Sequence, residues 1–487
     1  MDALDGGDGL SDNSRSGCVL GNAEISYPRP SIRRYQRMSQ EIVKSANSDH
    51  LDWYRKGTLY QLFPDRFAQV GQNSDRKLET WGSNPSRENF FGGTIAGITS
   101  RLPYLDHLGA ANIYLNPIFS APSNHRYDTQ NYFQIDPLLG DENQLANLVK
   151  LAGNTGMGLV LDGVFNHVGD QFHSFVRALN GDQAEREMFN FIDDSNAYQT
   201  CGGADFLPKL NHRNPRILEM VSQVLTYWDA FGIKGWRLDV PWKIPGEFWR
   251  ELRFQTKDLA SSELWLAEAW QQWGFASEFQ SITNYYARTR LIDFVSRHDA
   301  DAEDLVTDIE QWCQLRQDPS LITNFTGSHD TARLVNECGG SLRDAQMVLI
   351  LNQFLPGVPA LYYGDEIGLT GANDPDCRRT FPLVFSKEQK QFLAVVEPIF
   401  NLRRKHRGMS HGNFSVIESR NRTLIFERQF EGCAFTLVVN SGDRDQLVST
   451  SLSTNLRSVI GEEVSGNSVP GHSLLIAGGM DCTCHKL

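Results

Sequence analysis

The order of hydrophobic and polar residues divides the chain into two parts that meet near residue 405. From residue 57 onward, short hydrophobic runs recur, and amphipathic stretches such as 144–156 and 216–232 lie between several of them. Alternation of strands and helices predicts a parallel sheet with crossover helices. We identify seven clear strands and a weaker one at 282–295, which together predict an α/β fold, the (β/α)8 TIM barrel.

Three further stretches complete the predicted domain organisation. A connection of 47 residues follows the third strand, which is too long for a simple loop and predicts an inserted subdomain at 168–214 within a catalytic barrel of 51–405. Residues 406–487 alternate like antiparallel strands and predict a C-terminal antiparallel β-sandwich. Residues 1–50 are acidic and rich in Gly and Ser at their start, which predicts an N-terminal tail with one short helix.

Charge and composition exclude several classes of partner. The net charge of −13 argues against a polyanionic partner such as nucleic acid. No run of about 18 apolar residues exists, and the N-terminus lacks the apolar core of a signal peptide, so we predict no membrane span and a cytoplasmic location. The eight cysteines follow no regular disulfide pattern, and Cys482, Cys484 and His485 are too few for a closed metal site, so we expect a reduced tail.

The stretch GIKGWRLDVPWK contains two charged residues inside a strand that is otherwise hydrophobic. Arg237 and Asp239 lie two positions apart, so both side chains point to the same face of the strand. Burying a charge costs several kcal/mol unless it is paired or used. The pattern therefore predicts an ion pair at a functional position.

Polar residues also gather at the ends of other predicted strands, where the active site of such a barrel lies. They are Asp162, Asn166 and His167 near the end of strand three, Arg237 and Asp239 at strand four, Glu268 at strand five, and His329 and Asp330 after strand seven. Each residue alone is explained by a helix cap, a buried histidine or a structural ion pair. Their shared position on successive strands predicts one common site.

Two kinds of chemistry fit these residues. His and carboxylate side chains bind zinc, but the HExxH spacing is absent. Glycoside hydrolysis fits better, because a retaining mechanism needs one carboxylate as nucleophile and one carboxylic acid as proton donor. An adjacent cation keeps a nucleophile ionised, as Arg237 can for Asp239, and the apolar neighbours of Glu268 suit a proton donor.

The motifs DGVFNH, GWRLDV, LAEAW and GSHD resemble, in this order, the four signature regions of the α-amylase superfamily. The resemblance covers roughly residues 57–405 and implies that Asp239 is the nucleophile, Glu268 the acid/base and Asp330 the transition-state stabiliser. It implies that Arg237 orients Asp239, and that other residues bind the sugar at the cleavage point: His125, Tyr127, Asp162, His167 and His329. All three carboxylates are present, which argues against a non-catalytic glucan-binding relative.

Four further stretches resemble the neopullulanase, cyclomaltodextrinase and maltogenic amylase group: YQLFPDRF, NPIFSAPSNHRYDT, LPKLN and GANDPDCRR. In the last of them, Asp374 and Arg378 match the donor-side sugar contacts of the group. Members cut short or cyclic α-glucans at α-1,4 and often α-1,6 links, and they transfer sugars to varying degrees. The resemblance therefore implies an enzyme acting on α-glucans or maltooligosaccharides with no required cofactor.

The chain departs from this group in three ways. Only about fifty residues precede the barrel, so we expect no dimer built through the group's usual N-terminal β-domain, and either a monomer or a homodimer through other surfaces. A calcium-binding loop often follows PDRF in this group, but here Asn73 and Asp75 remain without much of the usual pattern, so we predict no calcium requirement.

The third departure is Trp242-Lys243, which stands where the group commonly has Asn-Glu. The pair would contact the leaving or accepting sugar. We therefore predict a leaning towards α-1,6 branch-link hydrolysis, as in debranching and pullulan-degrading enzymes, with some α-1,4 cleavage. The alternatives are a cyclomaltodextrinase or maltogenic amylase that cuts mainly α-1,4 links, and a glucan transglycosylase.

Overall fold

A computed structural model of the protein describes residues 48–71, 76–193, 196–260, 263–270, 278–316, 318–449, 456–464 and 466–478. Three expectations lie outside these residues. They are most of the N-terminal tail with its short helix, the Asn73 and Asp75 positions, and the cysteine and histidine cluster near the C-terminus.

Eight parallel strands form the predicted barrel. In chain order they are β1 (Thr58–Leu62), β2 (Ala110–Leu115), β3 (Gly158–Gly163), β4 (Gly235–Leu238), β5 (Leu264–Ala267), β6 (Ser281–Ile282), β7 (Thr323–Phe325) and β8 (Val358–Tyr362). Their order in the sheet is β6-β5-β4-β3-β2-β1-β8-β7, and a single parallel bridge between Thr283 and Thr323 joins the two edges. The strands are buried along their full lengths, as expected for a parallel sheet covered by helices.

Helices connect most of these strands. They are Ile95–Ser100, Leu102–Leu108, Glu142–Asn154, Pro215–Asp229, Gly246–Gln255, Lys257–Ala260, Tyr285–Ile292, Ala302–Gln314, Leu334–Glu337, Leu342–Phe354 and Lys387–Lys405. Local sequence explains their starts: Asp141 and Gln144 form a capping box, and Asn214 caps a helix that begins at Pro215. Within the described ranges, no helix is long and apolar enough to span a bilayer.

The sixth strand differs from the prediction for 282–295. Strand β6 ends at Ile282, and the chain continues as the helix Tyr285–Ile292 and a π-helical turn at Asp293–Arg297. The Asn284 side chain accepts a hydrogen bond from the backbone N–H of Ala287 and so starts the helix. The prediction of a strand is therefore wrong for most of this stretch, because the helix cap overrides the hydrophobic run.

The long connection after β3 has secondary structure of its own. It contains the helices His173–Leu179 and Gln183–Arg186 and the strands Thr200–Cys201 and Ala204–Pro208. Four aromatic side chains pack together in it: Phe175, Phe189, Phe191 and Tyr198. An isolated antiparallel bridge between His167 and Lys209 ties its two ends together beside the barrel.

A five-stranded antiparallel sheet follows the barrel. Its strands are β9 (Asn413–Arg420), β10 (Thr423–Phe430), β11 (Cys433–Asn440), β12 (Arg457–Ile460) and β13 (Ser473–Gly478), in the order β9-β10-β11-β13-β12. Neighbouring residues of β10 serve opposite faces: Leu424 and Phe426 join the main core, and Ile425 packs towards the two-stranded sheet of Gln446–Leu447 and Ser468–Val469. This period of two confirms the predicted sandwich.

The expected reduced tail lies outside the described residues, and the cysteines within them differ in state. Cys201, Cys313, Cys338 and Cys377 are free. Cys433, at the start of β11, is disulfide-bonded.

Candidate active site

The Arg237 guanidinium is the centre of a buried cluster at the C-terminal ends of β3, β4 and β5. Its Nη1 lies 2.9 Å from Asp162 Oδ1 and 2.9 Å from Asp239 Oδ1, and its Nη2 lies 2.8 Å from Glu268 Oε2. All four side chains are buried. The planar fork of arginine suits this role, because it presents donors in two directions to several carboxylates.

Asp162 anchors this cluster to β2. The hydroxyl of Tyr114 donates to Asp162 Oδ2 at 2.5 Å, and that of Tyr127 donates to the same oxygen at 2.8 Å. Together with Arg237, these donors occupy both carboxylate oxygens. The expectation that Asp162 contacts sugar stays a prediction, and the contacts show that it holds Arg237 and Tyr127 in place.

A second network surrounds His329, beyond the end of β7. Tyr127 stacks on the imidazole with ring centroids 5.3 Å apart, and its hydroxyl lies 2.8 Å from Nε2. On the other side of the ring, Gln61 Nε2 and Asn116 Nδ2 lie 3.0 and 3.1 Å from Nδ1. Because amide N–H groups donate, Nδ1 is the acceptor and the proton resides on Nε2, which faces Asp330 Oδ2 at 3.2 Å.

Glu268 is held by contacts from the ends of β4 and β5. The Trp270 indole N–H donates to Oε1 at 2.8 Å, and the Val240 backbone N–H donates to Oε2 at 2.9 Å. Trp270 stacks on Tyr285 at 4.0 Å, which fixes the indole. Val240 adopts the left-handed conformation with φ 36°, a strain on the order of 1–3 kcal/mol that aims its N–H at the carboxylate.

Asp330 stands at the edge of this group. Its side chain is the least buried of the three catalytic candidates, at 34% exposure, and its Oδ1 lies 3.6 Å from Arg378. Arg378 also contacts Asp374 at 2.9 Å and donates from Nε to the His329 carbonyl at 3.0 Å. The structure therefore places the predicted donor-side pair, Asp374 and Arg378, directly beside Asp330.

The three candidate histidines are neutral. Burial lowers the pKa of His125 to about 3 and that of His167 to about 4, and it lowers the pKa of His329 well below its usual value. His125 and His329 also experience the positive charge of Arg378. Neutral imidazoles suit neutral sugar hydroxyls, because each ring offers one donor and one acceptor. The Nε2 of His167 is buried without a hydrogen-bond partner.

Arg237 is one cation in contact with three buried carboxylates, and its charge does not offset the cost of burying them. Burial raises the pKa of Asp239 well above its usual value, and Glu268, Asp162 and Asp330 add to this while Arg237 opposes it. Arg237 lowers the pKa of Asp239 as expected, but burial and the three neighbouring carboxylates outweigh this effect, so the net shift is upward. Burial also raises the pKa of Asp330 to about 7.

Trp242 and Lys243 follow β4 on a short 3-10 turn, Pro241–Lys243. Trp242 is partly buried and Lys243 is exposed. The turn begins two residues after Asp239. Their expected contact with a sugar stays a prediction.

Several polar and aromatic residues of the site carried no role in the sequence interpretation. Gln61 on β1, Tyr114 on β2 and Asn116 just after β2 are buried in stretches that read as core, and Trp270 follows β5. Gln61 and Asn116 could have been identified from the sequence, because each is a polar residue within a hydrophobic stretch, YQLFPDRF and NPIFSAPSNHRYDT respectively. Nothing in the sequence distinguishes Tyr114 from a core tyrosine. In the part of the chain that the structure describes, no three His, Cys, Asp or Glu residues group as metal ligands.

Comparison with known protein families gives one match that covers most of the chain. Residues 61–411 match the model described as the alpha amylase catalytic domain. Among curated proteins, the cyclomaltodextrinase of Geobacillus thermopakistaniensis is 36% identical over 409 residues, which cover 80% of this chain and 69% of that protein. Neopullulanase 2 of Thermoactinomyces vulgaris is 33% identical over 441 residues, with 85% and 75% covered.

Solved structures show the same relationship. The cyclic alpha-maltosyl-(1→6)-maltose hydrolase of Arthrobacter globiformis superimposes with a TM-score of 0.80 at 30% identity, covering 88% of this chain and 99% of that one. A debranching enzyme from Nostoc punctiforme gives a TM-score of 0.76 at 30% identity, with 88% and 99% covered. The similarity thus extends over barrel and C-terminal sheet.

Proposed function

Because this chain belongs to the α-amylase family of glycoside hydrolases, within the cyclomaltodextrinase, neopullulanase and maltogenic amylase group, we propose that it hydrolyses α-glucans and maltooligosaccharides with retention of configuration. The observation that carries this proposal is the single Arg237 guanidinium in contact with Asp162, Asp239 and Glu268. It gathers a nucleophile and a proton donor at the mouth of the barrel.

In the first step, a sugar bound at the cluster reacts with Asp239. The carboxylate forms a bond to the anomeric carbon while the bond to the leaving oxygen breaks, and Glu268 gives its proton to that oxygen. Arg237 contacts both carboxylates, so its position is set for the nucleophile and the donor together. Asp330, with the neutral His329 beside it, faces the positive charge that develops on the sugar.

In the second step, water completes the reaction. Glu268, now ionised, takes a proton from water, and the resulting nucleophile attacks the anomeric carbon and releases Asp239. Two inversions leave the product in the α configuration. A sugar hydroxyl in place of water gives transfer, which is the alternative of a glucan transglycosylase.

We further propose a leaning towards α-1,6 branch links. Two features support it: the Trp242-Lys243 pair on the turn after Asp239, and the similarity to structures named as a cyclic alpha-maltosyl-(1→6)-maltose hydrolase and a debranching enzyme. The second candidate is mainly α-1,4 cleavage, which the similarity to proteins named cyclomaltodextrinase favours. The two candidates differ in which sugar oxygen leaves, and not in the carboxylates that act.

One incubation separates these functions. The protein is mixed in parallel with pullulan, β-cyclodextrin and branched maltooligosaccharides, and the products are resolved by chromatography. Debranching predicts linear chains from branched substrates and little opening of β-cyclodextrin. Rapid opening of β-cyclodextrin favours the α-1,4 alternative, products longer than the substrate indicate transfer, and no product from any of the three contradicts the proposed hydrolase.

Assembly, location and cofactor use are also proposals. We propose a monomer, or a homodimer through the barrel or the C-terminal sandwich, with no nucleic acid or membrane partner. A cytoplasmic location is supported by the 33% identity to a protein of Bacillus subtilis named intracellular maltogenic amylase. We also propose that no cofactor is required, and independence of calcium stays a prediction.

A further inference from the structure

The Asp374 carboxylate lies between two arginines. Arg378 contacts its Oδ1 at 2.9 Å from the inner side, and Arg87 donates from Nε to its Oδ2 at 3.1 Å from the outer side. The Arg378 contact lacks hydrogen-bond alignment, so Oδ1 is a buried acceptor without a hydrogen-bond partner. Because Arg378 offsets its charge without filling its hydrogen-bonding capacity, this oxygen can still accept a hydrogen bond from a sugar hydroxyl.

Arg87 belongs to a loop that we term the crossing segment, residues 79–92. The backbone N–H of Glu79 donates to the Phe90 carbonyl at 2.8 Å, so the segment is a closed loop whose two ends meet. It leaves the barrel after β1 and reaches the connections after both neighbouring strands, β2 and β8. Arg87 is therefore carried by a defined structure.

The crossing segment is fixed on both sides. Towards the β8 connection, the Trp81 indole donates to the Phe381 carbonyl at 2.8 Å and the Gly82 N–H donates to Thr380 Oγ1 at 3.0 Å. Towards the β2 connection, Asn124 Nδ2 donates to the Arg87 carbonyl at 2.9 Å and to the Asn89 carbonyl at 2.8 Å. These contacts make a continuous wall along the β8, β1 and β2 side of the barrel mouth.

This wall stands on the donor side of the proposed site. Asn124, which donates to the Arg87 carbonyl at 2.9 Å, directly precedes His125 in the chain, so the segment is joined to the stretch that carries this candidate sugar contact. The opposite side of the mouth carries Glu268 and the Trp242-Lys243 turn, where the leaving sugar would lie. A glucan chain that extends past Asp374 therefore meets Arg87 and the wall behind it.

We propose that Arg87 is a specificity-determining residue that holds Asp374 and closes the donor side of the site. This inference rests on the proposed function, and it adds that chains are cut at a short, fixed distance from the non-reducing end. Arg87 acts in two ways: its Nε fixes the Asp374 carboxylate, and its guanidinium occupies the space into which a longer donor chain would continue.

The test uses maltoheptaose labelled at its reducing end, with the cleaved bond read from the length of the labelled product. The wild type should cut mainly at one bond near the non-reducing end, and Arg87→Ala should spread cleavage to bonds further along the chain. Its KM should rise about tenfold while kcat changes less than about twofold, as expected for loss of a charge-assisted hydrogen bond used in binding. Arg379→Ala is the matched control, because it removes the neighbouring ion pair with Asp376 and should change neither value.

Two further variants test whether Arg87 acts through its hydrogen bond to Asp374. Arg87→Gln keeps a donor nitrogen at the ε position but lacks the rest of the guanidinium and its charge, so it should restore part of the wild-type KM. In an Asp374→Asn background, Arg87→Ala should raise KM less than about twofold, because coupled residues give non-additive changes. An active wild type with the same cleavage pattern in Arg87→Ala overturns the role of Arg87, whereas a wild type inactive on every glucan overturns the proposed function itself.

Discussion

Arg237 contacts Glu268 as closely as it contacts Asp239, at 2.8 and 2.9 Å. The residue that the sequence linked only to the nucleophile therefore also holds the proposed proton donor. The two carboxylates come from neighbouring strands, and the pairing of Arg237 with Leu266 and of Leu238 with Ala267 sets their relative height. One guanidinium thus fixes the geometry of both reacting groups.

Replacing Arg237 by lysine should abolish this shared contact. A compact ammonium cannot contact three carboxylates in two directions, so we expect kcat/KM to fall by roughly 10²–10³-fold, on the order of 3–4 kcal/mol. The pH profile of kcat/KM should shift as well, because the carboxylates lose their common partner. Arg250→Lys is the control, since Arg250 is a surface residue paired with Glu247 and Glu278. Equal activity of Arg237→Lys and wild type would exclude the role of Arg237 described above.

Asp330 should make stability depend on pH. Its pKa is raised to about 7 by burial, so the folded protein binds this proton more tightly than the unfolded chain does. The resulting stability is complete below about pH 4 and is lost as the pH rises through about 7. Asp330→Asn carries no such group, so its Tm advantage over wild type should grow between pH 4 and pH 8.

Thermal unfolding of both proteins across this pH range provides the measurement. Water reaches the partly exposed Asp330 side chain and reduces the free-energy cost of its charge. The change of the Tm difference with pH, and not its absolute size, is therefore the diagnostic quantity. A Tm difference that shrinks with rising pH would contradict the burial of an ionisable Asp330. The gain in stability should accompany a loss of activity, as is common for charged groups in active sites.

The Trp242-Lys243 pair should influence linkage choice. A tryptophan face offers a sugar ring an apolar platform worth on the order of 0.5–1.5 kcal/mol if aromatic contacts are a guide, and Lys243 supplies donors where the group commonly has an acid. The double variant Trp242→Asn with Lys243→Glu should lower the ratio of α-1,6 to α-1,4 cleavage on branched maltooligosaccharides several-fold. An unchanged ratio in a well-folded variant would place linkage choice elsewhere, for example in the insertion after His167.

The stereochemistry of the product tests the two-step mechanism. Double displacement releases sugar in the α configuration. NMR of fresh product, recorded before mutarotation, should therefore show the α anomer first. Initial release of the β anomer would exclude Asp239 as a nucleophile that forms a covalent intermediate.

The sequence predicted the parts of the site that depend on local pattern. Arg237 and Asp239 share a face because strand residues alternate, and Glu268 and Asp330 follow strands that are clear in the hydrophobic pattern. The contact between Arg237 and Glu268 depends on the register between two strands, which no local pattern contains. Strand β6 has two residues, too few for any periodicity.

The direction of the pKa shift of Asp239 could not be predicted from the sequence either. Local reasoning paired Asp239 with Arg237 and expected a lowered pKa. The fold brings Glu268, Asp162 and Asp330 to the same cation, so burial and the neighbouring carboxylates raise that pKa instead. A pKa in such a site depends on every charge that the tertiary structure brings within reach.

The roles of Asp239 and Glu268 are tested most directly by fluoride release from α-maltosyl fluoride, whose leaving group needs no proton. Glu268→Gln should release a burst of about one fluoride per active site yet cleave maltoheptaose about 10²–10⁴-fold more slowly than wild type. Asp239→Asn should release no burst, because no bond to the anomeric carbon can form. A burst from Asp239→Asn, or wild-type cleavage of maltoheptaose by Glu268→Gln, would contradict the assignment of nucleophile and acid/base.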